Sequence, residues 1–257
     1  MGVRAELSAD EVARFRREGW TLIRRLLSEP ELDQVRDAFD RLPSVPEHVV
    51  DKFAQRLVVT RNLRRHVPAL EPIVRGLALL AAQLMGEDRV RLLDDVALVK
   101  PPQEHGGQPT NWHQDAPNFP FDRRGFLTMW IAVDDIAVEQ GPLTLLPGSH
   151  RLGLLGAVDG AGEGLRLESV LTAQDREYVG APQTNALGAG DATVQDGSLL
   201  HSAGANRSSR PRRAWGVRFI PAATLYTGAA HQSFDDLGLE PFEPFEHENF
   251  PLITRKP

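Results

Sequence analysis

The sequence predicts a mainly β chain with flanking helices, an antiparallel sandwich or barrel with the helices packed outside. Three observations carry this. Helical periodicity and helix-start signals are confined to the stretch before about residue 88. Beyond it the pattern changes to short runs of alternating or continuous apolar residues, punctuated by Gly, Pro, Asp and Asn. A chain of 257 residues is long for an average domain but ordinary for one barrel or sandwich. The expectation is one domain over 1–257, with a helical part at about 1–88, a β core at about 89–225 and a tail at 226–257.

Taken in order, Ser8 and Glu11 form an S-x-x-E capping box ahead of Val12 and Phe15, and Gly19 stops the first helix. "WTLIRRLL" reads as a strand. Ser28 and Glu31 repeat the box before a helix whose apolar positions are Leu32, Val35, Phe39 and Leu42. Residues 43–56 look irregular. A third helix is expected over roughly 69–85, with Gly86 past its end. Strand-like runs follow in "VRLLDDVALVKP", "LTMWIAVDDI", "GPLTLLPG", "GDATVQDGSLLHS" and "RAWGVRFIPA". Residues 152–190 interrupt them with a Gly-rich and then polar segment, read as a long loop of the functional or mobile kind.

Composition removes several chemistries. With no cysteine, disulfides, zinc–thiolate sites, iron–sulfur clusters and cysteine nucleophiles are excluded. A metal would have to sit on His, Asp or Glu, a donor set suited to iron, manganese or zinc. A net charge of −6 without a basic helix face argues against nucleic-acid or anionic-membrane partners. The N-terminus has no apolar leader-like run, and "GLALLAAQLMG" is too short to span a bilayer. A small-molecule substrate and a cytoplasmic location are the expectation.

The chemistry centres on "NWHQDAPNF". His113 and Asp115 stand two apart, so on a strand they would face one way. Taken alone the pair means little, since about half of all chains of this composition carry an H-x-D by chance. A third ligand must come from elsewhere, with His201, His105 and His150 the histidines in suggestive settings. His201 is followed eleven residues later by Arg212, within a cluster that also holds Arg207, Arg210 and Arg213. An arginine there suits a carboxylate, which it can hold in a bidentate, charge-assisted contact, but spacing does not choose among the four.

Five ordered blocks, "NWHQDAPNFP", "LTMWIAVDD", "EQGPLTLLPGSH", "GDATVQDGSLLHSAGANRSSRPRRAW" and "FEHENFPLI", together with the opening "FRREGWTLIRRLLSEPEL", resemble the phytanoyl-CoA dioxygenase family of Fe(II)- and 2-oxoglutarate-dependent oxygenases. The resemblance implies a double-stranded β-helix, the cupin-like jelly-roll barrel. It implies Fe(II), 2-oxoglutarate and O2 as cofactor and co-substrates, with His113, Asp115 and His201 as catalytic iron ligands and Arg212 as partner of the oxo-acid's distal carboxylate. Asn206 supports the register that selects Arg212. Lys100 and Gln114 match positions near the co-substrate in some relatives. Thr128 and Trp130 could line the same pocket; Phe119 and Phe121 could touch an apolar substrate or belong to the core. Ala203 stands where some relatives carry a co-substrate-binding serine, and Gln140 replaces the usual asparagine before "GPL". Because Asp115 is present, hydroxylation is expected over halogenation, while cyclisation, desaturation and epimerisation would use the same residues. The rival class is a non-catalytic cupin-like metal- or ligand-binding protein. The implied setting is secondary-metabolite tailoring, with pocket walls at 43–56, 152–190 and "YTGAAHQSFDDLG".

Overall fold

The computed structural model describes residues 3–42, 48–50, 57–122, 125–155, 167–231 and 233–255. Two antiparallel sheets enclose a central cavity. The larger runs in the order β1 (Trp20–Ile23), β9 (Ala192–Asp196), β6 (Leu127–Ala132), β11 (Arg212–Pro221), β4 (Arg89–Lys100), β3 (Val58–Arg61) and β2 (His48–Val50), and β12 (Leu252–Thr254) also pairs with β4. The smaller runs β5 (Thr110–His113), β10 (His201–Ala203), β7 (Leu143–Leu145) and β8 (Gln183–Thr184). From β4 to β11 the chain passes back and forth between the sheets, which is jelly-roll winding.

The helices form where their end signals stand. In α1 (Ala9–Glu18) the Ser8 amide donates to the Glu11 carboxylate at 2.7 Å, the Glu11 amide donates back to Ser8 Oγ at 3.2 Å, and Gly19 ends the helix at φ 78°. In α2 (Glu29–Asp40) Glu31 accepts from the Ser28 amide. The short α3 (Leu63–His66) precedes α4 (Glu71–Met85), which stops at Gly86 with φ 74°. A 3-10 turn at Pro68–Leu70 lengthens α4, so that Pro68–Met85 is long and apolar enough by composition to cross a membrane. Half of it is buried in the protein, in the core shared with Trp215, Val217 and Phe219 of β11.

Three expectations change. The part before residue 88 adds β2 and β3 to the larger sheet besides β1, the strand expected at Trp20. The tail returns β12 to β4. The polar tract within 152–190 holds α5 (Leu167–Val170), α6 (Ala173–Tyr178) and β8. Its signal was a third capping box, Thr172 with Asp175, masked by the Gly-rich run before it. Residues 43–47, 51–56 and 156–166 of the expected pocket walls lie outside the described residues.

What positions the site is the two-facedness of β11. Its register against β4 runs from Arg212↔Lys100 to Pro221↔Val90, with a bulge at Arg218/Phe219. Successive side chains on a strand point to opposite faces. Trp215, Val217 and Phe219 therefore enter the helix-covered core, while Arg212, Gly216 and Arg218 line the cavity.

Candidate metal and oxo-acid site

His113 ends β5, and its backbone partner across the smaller sheet is His201 on β10. This pairing sets the imidazoles side by side, with centroids 4.1 Å apart. Asp115 does not share a strand face with His113, as the H-x-D spacing suggested. β5 stops at His113, and Asp115 (φ −76°, ψ −43°) starts a one-turn 3-10 helix, Ala116–Asn118. The turn brings its carboxylate to the same point: Oδ1 is 3.6 Å from Nε2 of both histidines. Among the described residues this is the one group of three or more His, Asp or Glu able to hold a metal ion, with all ligand atoms within 4.8 Å of one another. His105 and His150 lie in 3-10 turns outside it.

The imidazole tautomers are set by the backbone. His113 Nδ1 lies 2.8 Å from the Asn111 carbonyl, and His201 Nδ1 lies 3.0 Å from the Leu199 carbonyl. A carbonyl only accepts, so each Nδ1 carries a hydrogen, and each Nε2 is turned toward Asp115. Burial, aided by His113, pushes His201 down to about 4 against the pull of Asp115. Burial alone would raise the Asp115 carboxyl, but His201, His113, Arg218 and a hydrogen bond from Thr128 Oγ1 (3.2 Å) outweigh it and hold the group below the usual carboxylate range. A neutral His201 beside an ionised Asp115 carboxylate is the protonation state a metal needs.

Of the clustered arginines the structure brings one to this cavity. Arg212 is 2 % exposed, and its Nη1 donates to the Gly141 carbonyl. Its guanidinium lies over Trp130, 5.0 Å from the ring centroid. Its Nε has no partner, and among the described residues it makes no ion pair. Burial pushes it down to about 9, still cationic at neutral pH. Arg213, on the other face, grips Asp134 at 2.7 and 2.8 Å, and Arg210 is exposed. Asn206 supports the choice, its amide donating to the carbonyls of Lys100, the last residue of β4 (3.1 Å), and of Arg210, two residues before β11 (2.7 Å).

The remaining expected residues divide. Thr128 and Trp130 line the cavity. Lys100 is fully buried and bonds to Thr110 Oγ1 of the cavity wall (3.3 Å) and, more closely, to the Gly204 carbonyl (2.9 Å). Gln114 is a correction. Its side chain points away from the cavity, donating to the Gly153 and Ser198 carbonyls and accepting from the Leu155 amide, so it ties the turn to the neighbouring loops. Phe119 is a second correction. It stacks on Phe121 at 5.2 Å, within an aromatic cluster with Phe126, Phe234 and Phe245 and outside the cavity lining. Gln140 caps the turn before β7 by accepting from the Ala137 amide, and Ala203 lines the cavity. The segment "YTGAAHQSFDDLG" joins the Phe119 cluster and contributes nothing to the cavity among its described residues.

Two residues escaped the sequence reading. Arg218 lines the cavity and holds both oxygens of Asp94. Gln195 also lines it, with Nε2 3.1 Å from His201 Nε2. Parity was the signal for Arg218, six residues after Arg212 on one strand and hence on the same face.

A family model for phytanoyl-CoA dioxygenase (PhyH) matches residues 15–214. The chain belongs to the phytanoyl-CoA dioxygenase family. Within this family context, the chain is 33% identical over 100 residues to a probable alpha-ketoglutarate-dependent hypophosphite dioxygenase of Stutzerimonas stutzeri, covering 36% of this chain and 34% of that one. It is 30% identical over 166 residues to the L-proline trans-4-hydroxylase of Streptomyces griseoviridis, covering 60% and 59%. The matched stretches thus span less than two thirds of either curated relative. Among solved structures, the non-heme alpha-ketoglutarate-dependent carbocyclase SnoK from nogalamycin biosynthesis superposes with TM-score 0.80 at 28% identity, over 96% of this chain and 97% of that one. The epimerase SnoN in complex with Fe3+, alpha-ketoglutarate and nogalamycin RO does so at 0.80 and 27%, over 95% and 97%.

Proposed function

We propose that this family member is an Fe(II)- and 2-oxoglutarate-dependent dioxygenase that oxidises an unactivated C–H bond of a small organic molecule in a secondary-metabolite tailoring step. The observation that carries the reading is Arg212, a buried cation with an unpartnered Nε in the same cavity as the His113–Asp115–His201 group. A buried charge demands a partner, and an anionic group entering the cavity supplies it. Two imidazoles and one carboxylate suit Fe(II) and leave coordination positions for other ligands. The residues present therefore fit both groups.

His113, Asp115 and His201 would hold the iron, and Arg212 the distal carboxylate of the oxo-acid. Bound together with O2, iron and oxo-acid supply the oxidising chemistry, the oxo-acid leaving as succinate and CO2. The protein's own part is placement. Thr128 orients the Asp115 carboxylate, the Nδ1–carbonyl bonds fix both imidazoles, and Gly216 makes room for Val96, whose Cγ2 a Cβ there would meet at 2.8 Å. Val59, Val96 and Leu98 make one wall apolar, with Arg61 beside it; this suits a substrate with an apolar body and a polar edge. Hydroxylation is the default outcome, with cyclisation, desaturation and epimerisation open to the same site; the printed activities of SnoK and SnoN illustrate two of these. A cytoplasmic setting, with no nucleic-acid or membrane partner, completes the reading.

The test is an anaerobic titration of the metal-free protein with Fe(II), then 2-oxoglutarate. A visible metal-to-ligand charge-transfer band is expected. No band, together with His113→Ala binding iron as well as wild type, would overturn the assignment.

A further inference from the structure

Two buried glutamines stand near the proposed ligands, and the fold uses them differently: Gln195 lines the cavity and Gln114 does not. Every bond of the Gln114 side chain goes to backbone of the surrounding loops. Gln195, 1 % exposed, is held by no such bond. It sits on β9 in a polar row that crosses the larger sheet, Gln195↔Thr128↔Arg218↔Asp94. Directly opposed residues of neighbouring antiparallel strands share a face, and the first three of these line the cavity beside the proposed ligands.

The direction of its one hydrogen bond is fixed. His201 Nδ1–H is committed to the Leu199 carbonyl, so His201 Nε2 can only accept. The Gln195 amide nitrogen, 3.1 Å away, is therefore the donor, and its Oε1 is buried without a partner. A metal takes that same Nε2 lone pair. The amide then loses its acceptor while remaining one hydrogen-bond length from a metal ligand atom. A buried donor stripped of its acceptor is destabilising until another acceptor replaces it. The oxo-acid presents carboxylate and keto oxygens, all acceptors, to this region.

We propose that Gln195 is a co-substrate-binding residue: with the metal in place, its amide N–H donates to an oxygen of the 2-oxoglutarate at the metal end, opposite the end held by Arg212. The inference rests on the oxo-acid reading above. It makes the oxo-acid a ligand gripped at both ends, by a guanidinium on β11 and a carboxamide on β9.

The test uses the full-length chain under anaerobic conditions, with Fe(II) and 2-oxoglutarate as probes and no organic substrate. Gln195→Leu keeps the volume and removes the donor. Its Fe(II) affinity is expected to stay within about twofold of wild type, its 2-oxoglutarate affinity to fall about three- to tenfold, as loss of one hydrogen bond implies, and its charge-transfer band to move. Gln195→Glu, which sets an acidic acceptor against the oxo-acid, is expected to weaken it further. Should Gln195→Leu not fold, as judged by its melting transition, Gln195→Asn withdraws the amide by one methylene and is read for the same split. Wild-type 2-oxoglutarate affinity and band position in the folded variant would overturn the proposal. So would a parallel loss of Fe(II) affinity, which would make Gln195 a metal ligand or a part of the scaffold. Failure of the oxo-acid reading itself is distinguishable, because it appears as a missing band in wild type.

Discussion

Arg212 and Arg213 are neighbours with the same chemistry and opposite surroundings. One has a buried, unpartnered Nε; the other holds a bidentate carboxylate at the surface. Arg212→Ala is expected to weaken 2-oxoglutarate binding at least about thirtyfold, the loss typical of truncating one member of a buried charged pair, with Fe(II) binding little changed; isothermal titration of each ligand measures both. Arg213→Ala is expected to leave 2-oxoglutarate affinity alone and to lower stability by no more than about 1 kcal/mol, since its pair is partly exposed; denaturant melts read that. The identities of His113, Asp115 and His201 were legible in the sequence as motif and resemblance. Their geometry was not, because the convergence of Asp115 depends on a turn that interrupts β5. Gln114 was misplaced because standing between two proposed ligands in sequence says nothing about direction. Gln195 had no motif to mark it, and only the cross-strand row with Thr128 and Arg218 reveals it.

Elements announced by local chemistry were readable from the sequence. The boxes at Ser8 and Ser28 and the glycines at 19 and 86 mark helix ends through interactions within a few residues. β5, β10 and β7 are harder, being three or four residues each, with a pairing set by distant partners. The turn before β7 carries a test. Gly141 has φ 65°, its carbonyl accepts from Arg212, and a Cβ there would stand 2.2 Å from the Gly204 carbonyl oxygen. Gly141→Ala is expected to cost about 1–3 kcal/mol of stability and, by shifting the acceptor that holds Arg212, to weaken 2-oxoglutarate binding. Melting curves with and without the oxo-acid check both effects; unchanged affinity would separate this turn from the site.

At the scale of the molecule, Asp95 joins β4 to the helical layer. Its fully buried carboxylate accepts from Trp215 Nε1 at 3.0 Å and faces the Arg64 amide of α3. Burial pushes it up to about 6 from 3.8. Between those values the folded protein keeps a proton that the unfolded chain has lost, so this group's contribution to stability falls as pH rises through the window. Asp95→Asn is expected to remove that decline, of the order of 2–3 kcal/mol, while keeping an acceptor for Trp215; denaturant melts of both proteins from pH 4 to 7 compare the slopes. The β-rich class was legible because strand-like runs dominate after residue 88. The sheet membership of β1, β3 and β12 was not, since it depends on partners far along the chain. The alternation of β11 also bears on how faithfully the chain folds. A slip of one residue against β4 would turn Arg213 and Trp215 inward and Arg212 outward, giving a barrel closed around the wrong side chains. The bulge at Arg218/Phe219 and the Asn206 bonds to Lys100 and to Arg210, just ahead of β11, favour the native register over that misalignment. They act as proofreading of the fold, set at the two ends of the strand on which both cavity arginines depend.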